Sequence, residues 1–100
     1  MTNPDIDGAA GLDEFIATVK ELETSSAQML SRAEDIEALV DAKRDSLGKR
    51  SKLAGLNSVL GKLSSEQRRE AGAVLNQARS RLEELAAARS VELESAERSR

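Results

Sequence analysis

The sequence lacks the side chains on which most enzyme active sites depend. It contains no cysteine, histidine, tryptophan or tyrosine, and its single aromatic residue is Phe15. Without cysteine there are no disulfides and no thiolate metal sites, and without histidine the commonest metal ligand and general base is missing. Adjacent carboxylates such as Glu83 and Glu84 point to different parts of a helix surface, which is typical of solvated charge rather than of an acid–base pair. The residues therefore predict no catalytic group, no metal site and no cofactor in this segment.

The sequence also lacks long apolar runs. No run approaches the roughly 18 residues that a membrane-spanning helix needs. The N-terminus is acidic and does not show the basic-then-apolar pattern of a signal peptide. We therefore expect no membrane association, and the absence of cysteine is in keeping with a cytoplasmic location.

The residues that are abundant indicate helices. Hydrophobic residues make up 39% of the 100-residue chain and charged residues 33%. Together with the abundance of Ala, Leu, Glu, Ser and Arg, this composition is typical of long helices, and the only proline is Pro4. Because large side chains are few, the core should be thin, with a single seam between helices. The composition predicts an all-α fold in one small domain or in a piece of a larger protein.

A short N-terminal helix is predicted after a polar lead. Residues 1–10 are expected to be disordered, and apolar residues recur on one helical face over residues 11–30. Phe15 lies on that face. We expect it to pack this helix onto the base of the helices that follow.

A long antiparallel two-helix coiled-coil hairpin is predicted over residues 32–98. Ser31 and Glu34 have the spacing of a capping box, which places the start of the second helix near Arg32. Four leucines of this helix are spaced 3, 4 and 3 residues apart, which is the spacing of a coiled-coil seam. These leucines are Leu53, Leu56, Leu60 and Leu63.

The apolar pattern changes at two places. The step from Leu47 to the first of these leucines is six residues rather than seven, so the second helix should bend near Gly48. A second capping-box spacing, Ser64 with Gln67, begins the third helix. The turn of the hairpin therefore lies near residues 61–65, and a turn this short makes the two helices antiparallel.

The third helix has its own stripe, in which alanines allow close approach of a neighbouring helix. Gly72 interrupts this helix, where glycine costs about 1 kcal/mol relative to alanine. A close backbone contact at the tip of the hairpin would explain it. The helix-forming sequence continues to the C-terminus without a capping glycine, so we expect this end to be a truncation. The stripe consists of Ala71, Leu75, Ala78, Leu82, Leu85, Arg89, Leu93 and Ala96.

Charge is distributed unevenly along the chain. The net charge is −8 over residues 1–42, +6 over residues 43–69 and −1 over residues 70–100. A basic segment inside an acidic chain is a candidate site for a polyanion, and the alternative is a solvated helix face without a ligand. The cations of this segment are Lys43, Arg44, Lys49, Arg50, Lys52, Lys62, Arg68 and Arg69.

The same segment carries a specific pattern of glycine, leucine and asparagine. RDSLGKR at 44–50 is followed by LGKL at 60–63 and then by Glu66, Arg68, Gly72 and Asn76. These residues closely resemble the R-x-x-LGKKG element, the L-x-x-eeR turn and the G-x-x-x-N pattern of the N-terminal arm of the bacterial phenylalanine–tRNA ligase alpha subunit. The resemblance covers about residues 33–98. Ser51 departs from it, because the family usually has glycine there.

The resemblance implies a role in a larger enzyme. The family's arm is an antiparallel coiled coil that projects from an (αβ)2 enzyme and contacts tRNA(Phe). It positions the tRNA for ATP-dependent aminoacylation in a class II catalytic domain that is absent from this chain. ATP and Mg²⁺ are expected only for the full enzyme, whose beta subunit is the expected protein partner.

The match to the family's motifs also implies residue roles. Gly48, Gly61, Gly72 and Asn76 are expected to be structural. Lys52 joins the expected tRNA contacts from its place in the basic segment rather than from a motif. The full set of expected tRNA contacts is Arg44, Lys49, Arg50, Lys52, Lys62, Arg68 and Arg69.

Two other interpretations stay open. One is the similar hairpin arm of a seryl-tRNA synthetase, against which the LGKR and G-x-x-x-N patterns argue. The other is a helical hairpin that acts purely as a protein-interaction module. Since no aromatic residue lies near the basic segment, nucleic-acid binding would depend on the shape and backbone of the ligand rather than on base stacking. Salt-dependent tRNA binding separates both synthetase arms from the interaction module.

Overall fold

The computed structural model describes the backbone of residues 4–99 and the side chains of residues 11–99. Within this part of the chain every regular element is a helix. The molecule is elongated, 63 Å long and 21 Å by 18 Å across. The predicted all-α fold with a helical hairpin is confirmed. In chain order the helices are α1 (Pro4–Arg32), α2 (Ile36–Leu47), α3 (Lys52–Leu60) and α4 (Ser65–Arg98).

Helix α1 begins earlier than expected. It starts at Pro4 rather than near residue 11, so residues 4–10 of the expected disordered lead are helical, and residues 1–3 lie outside the described residues. Proline suits the first turn of a helix, because its φ angle is already helical and it has no N–H group to leave unpaired. This local preference outweighed the polar composition from which we had expected disorder.

Helix α1 lies alongside α4 and runs in the same direction. Arg81 of α4 pairs with Glu23 of α1 at 3.3 Å. Further along both helices, Arg89 donates two hydrogen bonds to the carbonyl oxygen of Ala33, at 2.9 and 3.1 Å. The arm is therefore three helices thick along much of its length, with α2 and α3 running antiparallel to the other two.

Phe15 packs at the opposite end of the hairpin from the one we expected. It is buried, with 3% of its surface exposed, so its predicted packing role is confirmed. However, it shares a groove with Leu56 and Leu63, which belong to the tip rather than to the base. Next to it, a side chain added at Gly11 would touch Leu63. The expected position was wrong because the apolar face of α1 does not reveal to which end of a hairpin it binds.

The connection between α1 and α2 uses a different cap from the predicted one. The side chain of Asp35 accepts a 2.7 Å hydrogen bond from the N–H of Ala38, and α2 begins at the next residue, Ile36. Ser31 remains inside α1, so the predicted capping box of Ser31 with Glu34 was wrong. Aspartate and serine cap helices about equally well. The complete burial of Leu30 keeps α1 helical through Ser31, which leaves Asp35 as the cap.

The predicted bend near Gly48 is confirmed, and it is a full interruption between two helices. The N–H of Gly48 donates to the carbonyl of Arg44 at 2.8 Å and ends α2. The buried hydroxyl of Ser51 accepts a hydrogen bond from the N–H of Ala54 at 3.1 Å and donates to the carbonyl of Gly48 at 2.7 Å. Serine at this departure from the family pattern therefore caps α3 and closes the connection.

The turn at the tip follows the sequence prediction closely. Helix α3 ends at Leu60, and α4 begins at Ser65. The Ser64 hydroxyl accepts from the N–H of Gln67 at 3.2 Å, while the Gln67 side chain accepts from the N–H of Ser64 at 3.3 Å. The predicted capping box is thus confirmed. It satisfies N–H groups that a helix start leaves unpaired.

The core is centred on an inner stripe of α4, which contacts the other three helices. Leu82 is fully buried there, and burying a leucine side chain stabilises a fold by about 1.5–3 kcal/mol. The stripe passes through Ala86 rather than through the expected Leu85, which is 40% exposed, and Ala96 is exposed as well. A straight helix drifts away from a strict heptad repeat because it has 3.6 residues per turn. The α4 core residues are Ala71, Leu75, Ala78, Leu82, Ala86 and Leu93.

Gly48 is predicted to be essential for the interruption between α2 and α3. A Cβ atom at this position would overlap the carbonyl oxygen of Arg44, which is backbone and cannot move aside. We expect Gly48→Ala to lower the free energy of unfolding by about 1–3 kcal/mol, measured by urea denaturation followed by circular dichroism. Gly61→Ala is the control, because its Cβ would meet only Ser58 at an ordinary 3.6 Å. Equal stability of the Gly48 variant and the unaltered chain would contradict this explanation.

Candidate nucleic-acid interface

Three cations gather where α2 and α3 are interrupted. Lys49 and Arg50 lie in the connection, and Lys52 is the first residue of α3. All three side chains are exposed. None of them makes a hydrogen bond or an ion pair through its side chain with another residue in the part of the chain that the structure describes. We call Lys49, Arg50 and Lys52 the bend cluster.

Two further cations flank the tip. Lys62 lies in the turn between α3 and α4, and Arg69 lies in the second turn of α4. Both are exposed, and neither side chain has a partner among the described residues. At a rise of about 1.5 Å per residue, Lys52 and Lys62 are about 15 Å apart along the arm. The bend cluster and the tip therefore offer two separate groups of positive charge to an extended ligand.

Arg68 is exposed like its neighbours in the basic segment, but its side chain bonds to the fold. Its Nε atom donates to the carbonyl of Leu60 at 3.1 Å, and its Nη2 atom donates to the carbonyl of Leu63 at 3.2 Å. These carbonyls lie at the end of α3 and in the turn, and the carbonyl of Leu60 also accepts from the N–H of Leu63 at 3.2 Å. Arg68 therefore holds the turn that carries Lys62. Its expected contact with tRNA stays a prediction that the structure does not test.

The cations of α2 are in mixed surroundings. Arg44 donates to the carboxylate of Asp41 at 2.8 Å, with both side chains largely exposed. Such an exposed pair contributes little to stability and leaves the guanidinium accessible. Lys43 is exposed and has no partner among the described residues. These two residues extend the positive surface from the bend cluster toward the base of the arm.

Acidic residues border the basic surface on the α1 side. Glu14 of α1 and Lys62 of the turn line the same groove at the tip, without forming an ion pair. Asp45 of α2 and Lys52 line a second groove, and Leu22 of α1 lines it as well. A carboxylate beside a cation lowers the local positive potential, so Lys52 and Lys62 attract a polyanion less strongly than their exposure alone suggests.

Other kinds of site find no support in the described residues. No group of three or more carboxylates there is placed to hold a metal ion, and no buried side-chain nitrogen or oxygen lacks a hydrogen-bond partner. No helix in the described part of the chain is long and apolar enough to cross a membrane. The exposed cations are therefore the feature of this structure from which a function can be argued.

Sequence reasoning did not predict which arginines of α4 contact α1 or the residue that follows it. Arg81 forms the ion pair with α1, and Arg89 closes the end of α1 instead of lying only on the apolar stripe. A signal was available for Arg89, because a charged residue in the middle of an apolar stripe needs a polar partner when it is half buried. The identity of that partner depended on the position of α1.

Comparison with known proteins identifies relatives of this chain. Residues 34–100 match the model of a family described as the N-terminal domain of class II aminoacyl-tRNA synthetases. The phenylalanine–tRNA ligase alpha subunit of Bordetella parapertussis is 39% identical over 87 residues, which are 87% of this chain and 25% of that protein. The alpha subunit of Azotobacter vinelandii is 37% identical over 75 residues, 75% of this chain and 22% of that protein.

A third relative shows the same level of identity. The phenylalanine–tRNA ligase alpha subunit of Persephonella marina is 38% identical over 66 residues, which are 66% of this chain and 19% of that protein. The chain thus spans about a quarter or less of the length of these curated relatives. No solved structure matches it.

The two neighbouring arginines at the tip are predicted to differ in their effect on stability. Arg68→Gln removes the donors to Leu60 and Leu63, and we expect it to lower the free energy of unfolding by about 1 kcal/mol. Arg69→Gln makes the same charge change without breaking an internal contact, so its effect should stay below about 0.5 kcal/mol. Urea denaturation of both variants measures the difference. Equal losses would show that the carbonyl contacts of Arg68 contribute nothing.

Proposed function

The chain belongs to the family of class II aminoacyl-tRNA synthetase N-terminal domains, and from this membership we propose that it is an arm that binds tRNA(Phe). In this proposal the arm holds the tRNA in position while a class II catalytic domain outside this chain attaches phenylalanine. The segment itself contributes no catalytic residue. The similarity to phenylalanine–tRNA ligase alpha subunits favours this amino acid over serine.

The observation that carries the proposal is the set of exposed cations without internal partners. Exposed cations whose side chains make no hydrogen bond or ion pair with a described residue are Lys49, Arg50, Lys52, Lys62 and Arg69. Charges held by the fold would be unavailable to a ligand, whereas these can each approach a phosphate group. A polyanion that neutralises them releases its condensed counterions, which gives affinity that falls with salt.

The mode of recognition follows from the kinds of side chain available. Lysine and arginine contact phosphates as charges, which positions a nucleic acid without reading its sequence. The single aromatic residue, Phe15, is buried in the core and unavailable for base stacking. We therefore propose that the arm recognises the folded shape and backbone of tRNA. Selection of tRNA(Phe) among other tRNAs then comes from the fit of this shape.

The remaining features of the proposal concern the whole ligase. The relatives are about three and a half times as long as this chain. We propose that the rest of the protein supplies the ATP and Mg²⁺ sites, and that the alpha subunit assembles with a beta subunit as (αβ)2 in the cytoplasm. The arm would then act as a projecting tRNA support on that assembly.

Neutralising the bend cluster is the test of the proposed function. The triple variant Lys49→Gln, Arg50→Gln and Lys52→Gln should bind tRNA(Phe) at least about tenfold more weakly at low salt than the unaltered chain does. Its plot of log affinity against log salt should be less steep by about 2 to 3, because three phosphate contacts are lost. Fluorescence anisotropy with labelled tRNA at several salt concentrations measures both quantities.

A matched triple variant controls for overall charge. Lys20→Gln, Arg32→Gln and Arg98→Gln remove the same charge from exposed positions outside the basic segment. This control should keep the affinity and the salt dependence of the unaltered chain. Equal losses in both triple variants would contradict the assignment of the bend cluster. Absence of tRNA binding by the unaltered chain, with its helices intact, would favour a protein-interaction module.

A further inference from the structure

No contact within the described part of the chain explains why residue 72 is glycine. Gly72 lies about two turns into α4, where glycine weakens a helix relative to alanine. We had expected a close backbone contact at the tip to explain it. Instead, a Cβ atom at this position would meet nothing within 4 Å. The fold would therefore accept alanine here, so the missing side chain leaves free space for something outside the fold.

Gly72 lies in a row of polar residues on one face of α4. Arg69, Gly72, Asn76 and Arg79 are separated by three, four and three residues, which places them along one side of a helix. The row is adjacent to the buried stripe of α4 and shares its direction. We call these four residues the α4 row. Two guanidinium groups thus bracket a glycine and an amide on one surface.

Contacts on the other flank of α4 show which way this row faces. Arg81 pairs with Glu23 of α1, and Leu85 lines a groove with residues of α1 that include Ala27. Gln67 lines the tip groove together with α1 as well. These residues form the flank of α4 that faces α1. By helical spacing the α4 row lies on the opposite flank, away from the acidic residues of α1.

The arginines of α4 divide into two groups by their contacts. Arg68, Arg81 and Arg89 each bond to a carbonyl or a carboxylate of another element. Arg69, Arg79 and Arg98 make no side-chain hydrogen bond or ion pair with any described residue, and Arg98, the last residue of α4, lies far from the α4 row. Arg79 is nevertheless half buried, which holds its stem against the surface. A guanidinium that is positioned but unpaired is well suited to bind phosphate.

We propose that the α4 row is a contact site for the sugar–phosphate backbone of tRNA, an inference that rests on the proposed function. The two guanidinium groups contact phosphates, and the amide of Asn76 bonds to a sugar or phosphate oxygen. The missing side chain at Gly72 allows the backbone of the RNA to approach the helix closely. This assigns Gly72 and Asn76 to binding rather than to structure, and it adds Arg79 to the basic surface.

Gly72→Ala separates binding from folding because the two effects have opposite signs. Its melting temperature should rise by about 4–8 °C, since alanine favours the helix and nothing lies in the space it fills. Its affinity for tRNA(Phe) should fall by at least about tenfold, since the added methyl group holds the RNA away. Thermal unfolding and fluorescence anisotropy of the same preparation measure both. Unchanged affinity would overturn the proposal.

Ser31→Ala is the control for stiffening. Ser31 is an exposed residue of α1 that lies outside the basic segment and outside the α4 row. The melting temperature of this variant should also rise, since alanine favours a helix more than serine does, while its affinity stays within about twofold of the unaltered chain. If both alanine variants lose affinity equally, general stiffening is the cause and the proposal is wrong.

Arg79 provides an independent measurement. Arg79→Gln should weaken binding and make the salt dependence less steep by about 1, as the loss of one phosphate contact does. Arg81→Gln makes the same charge change at a residue paired with Glu23 and should leave the salt dependence unchanged. Equal effects of the two variants would overturn the role of Arg79.

The same measurements separate this inference from the proposed function. If the unaltered chain binds tRNA(Phe) and Arg79→Gln binds it equally well, only this inference fails. If the unaltered chain does not bind tRNA(Phe), the proposed function fails.

Discussion

Every other element of the arm depends on the inner face of α4. Alanines on this face let the neighbouring helices approach closely, and leucines fill the layers between them. The same helix also contacts two of the three connections of the chain, because Arg68 bonds to the carbonyls of Leu60 and Leu63 and Arg89 bonds to the carbonyl of Ala33 after α1. Arg68 thus holds the turn at the tip, and Arg89 holds the end of the long α1 against α4.

In this arrangement the charged side chains that stabilise the fold differ from those that stay available to a ligand. The acidic helix α1 covers one flank of α4, and the ion pair of Arg81 with Glu23 is made on that side. Elsewhere, the connection between Gly48 and Ser51 places Lys49 and Arg50 outside any helix. In an unbroken helix, neighbouring residues would point about 100° apart. The interruption therefore places Lys49, Arg50 and Lys52 together at one exposed position along the arm.

The features that sequence reasoning predicted are those set by nearby residues. The capping box of Ser64 with Gln67 and the bend at Gly48 each depend on a few consecutive positions, and both are present. The position of α1 depends on contacts between residues more than 50 apart, such as Ala33 with Arg89, and an apolar face alone does not identify its partner. For the same reason the sequence showed where the cations are but not which of them bond to other residues of the fold. Arg68 and Arg69 are neighbours in the chain and differ only in the fold around them.

The most direct test of this account is to map where tRNA(Phe) touches the arm. Titration of unlabelled tRNA into the ¹⁵N-labelled chain, followed by amide chemical shifts, reports contact residue by residue. The account predicts shifts at the bend cluster, at the tip around Lys62 and along the α4 row. It predicts none on the outer face of α1 around Glu21, which carries acidic residues. Two results would contradict the claim that the exposed cations form the tRNA-binding surface. One is chemical shift changes centred on α1, and the other is no change above experimental error at saturating tRNA.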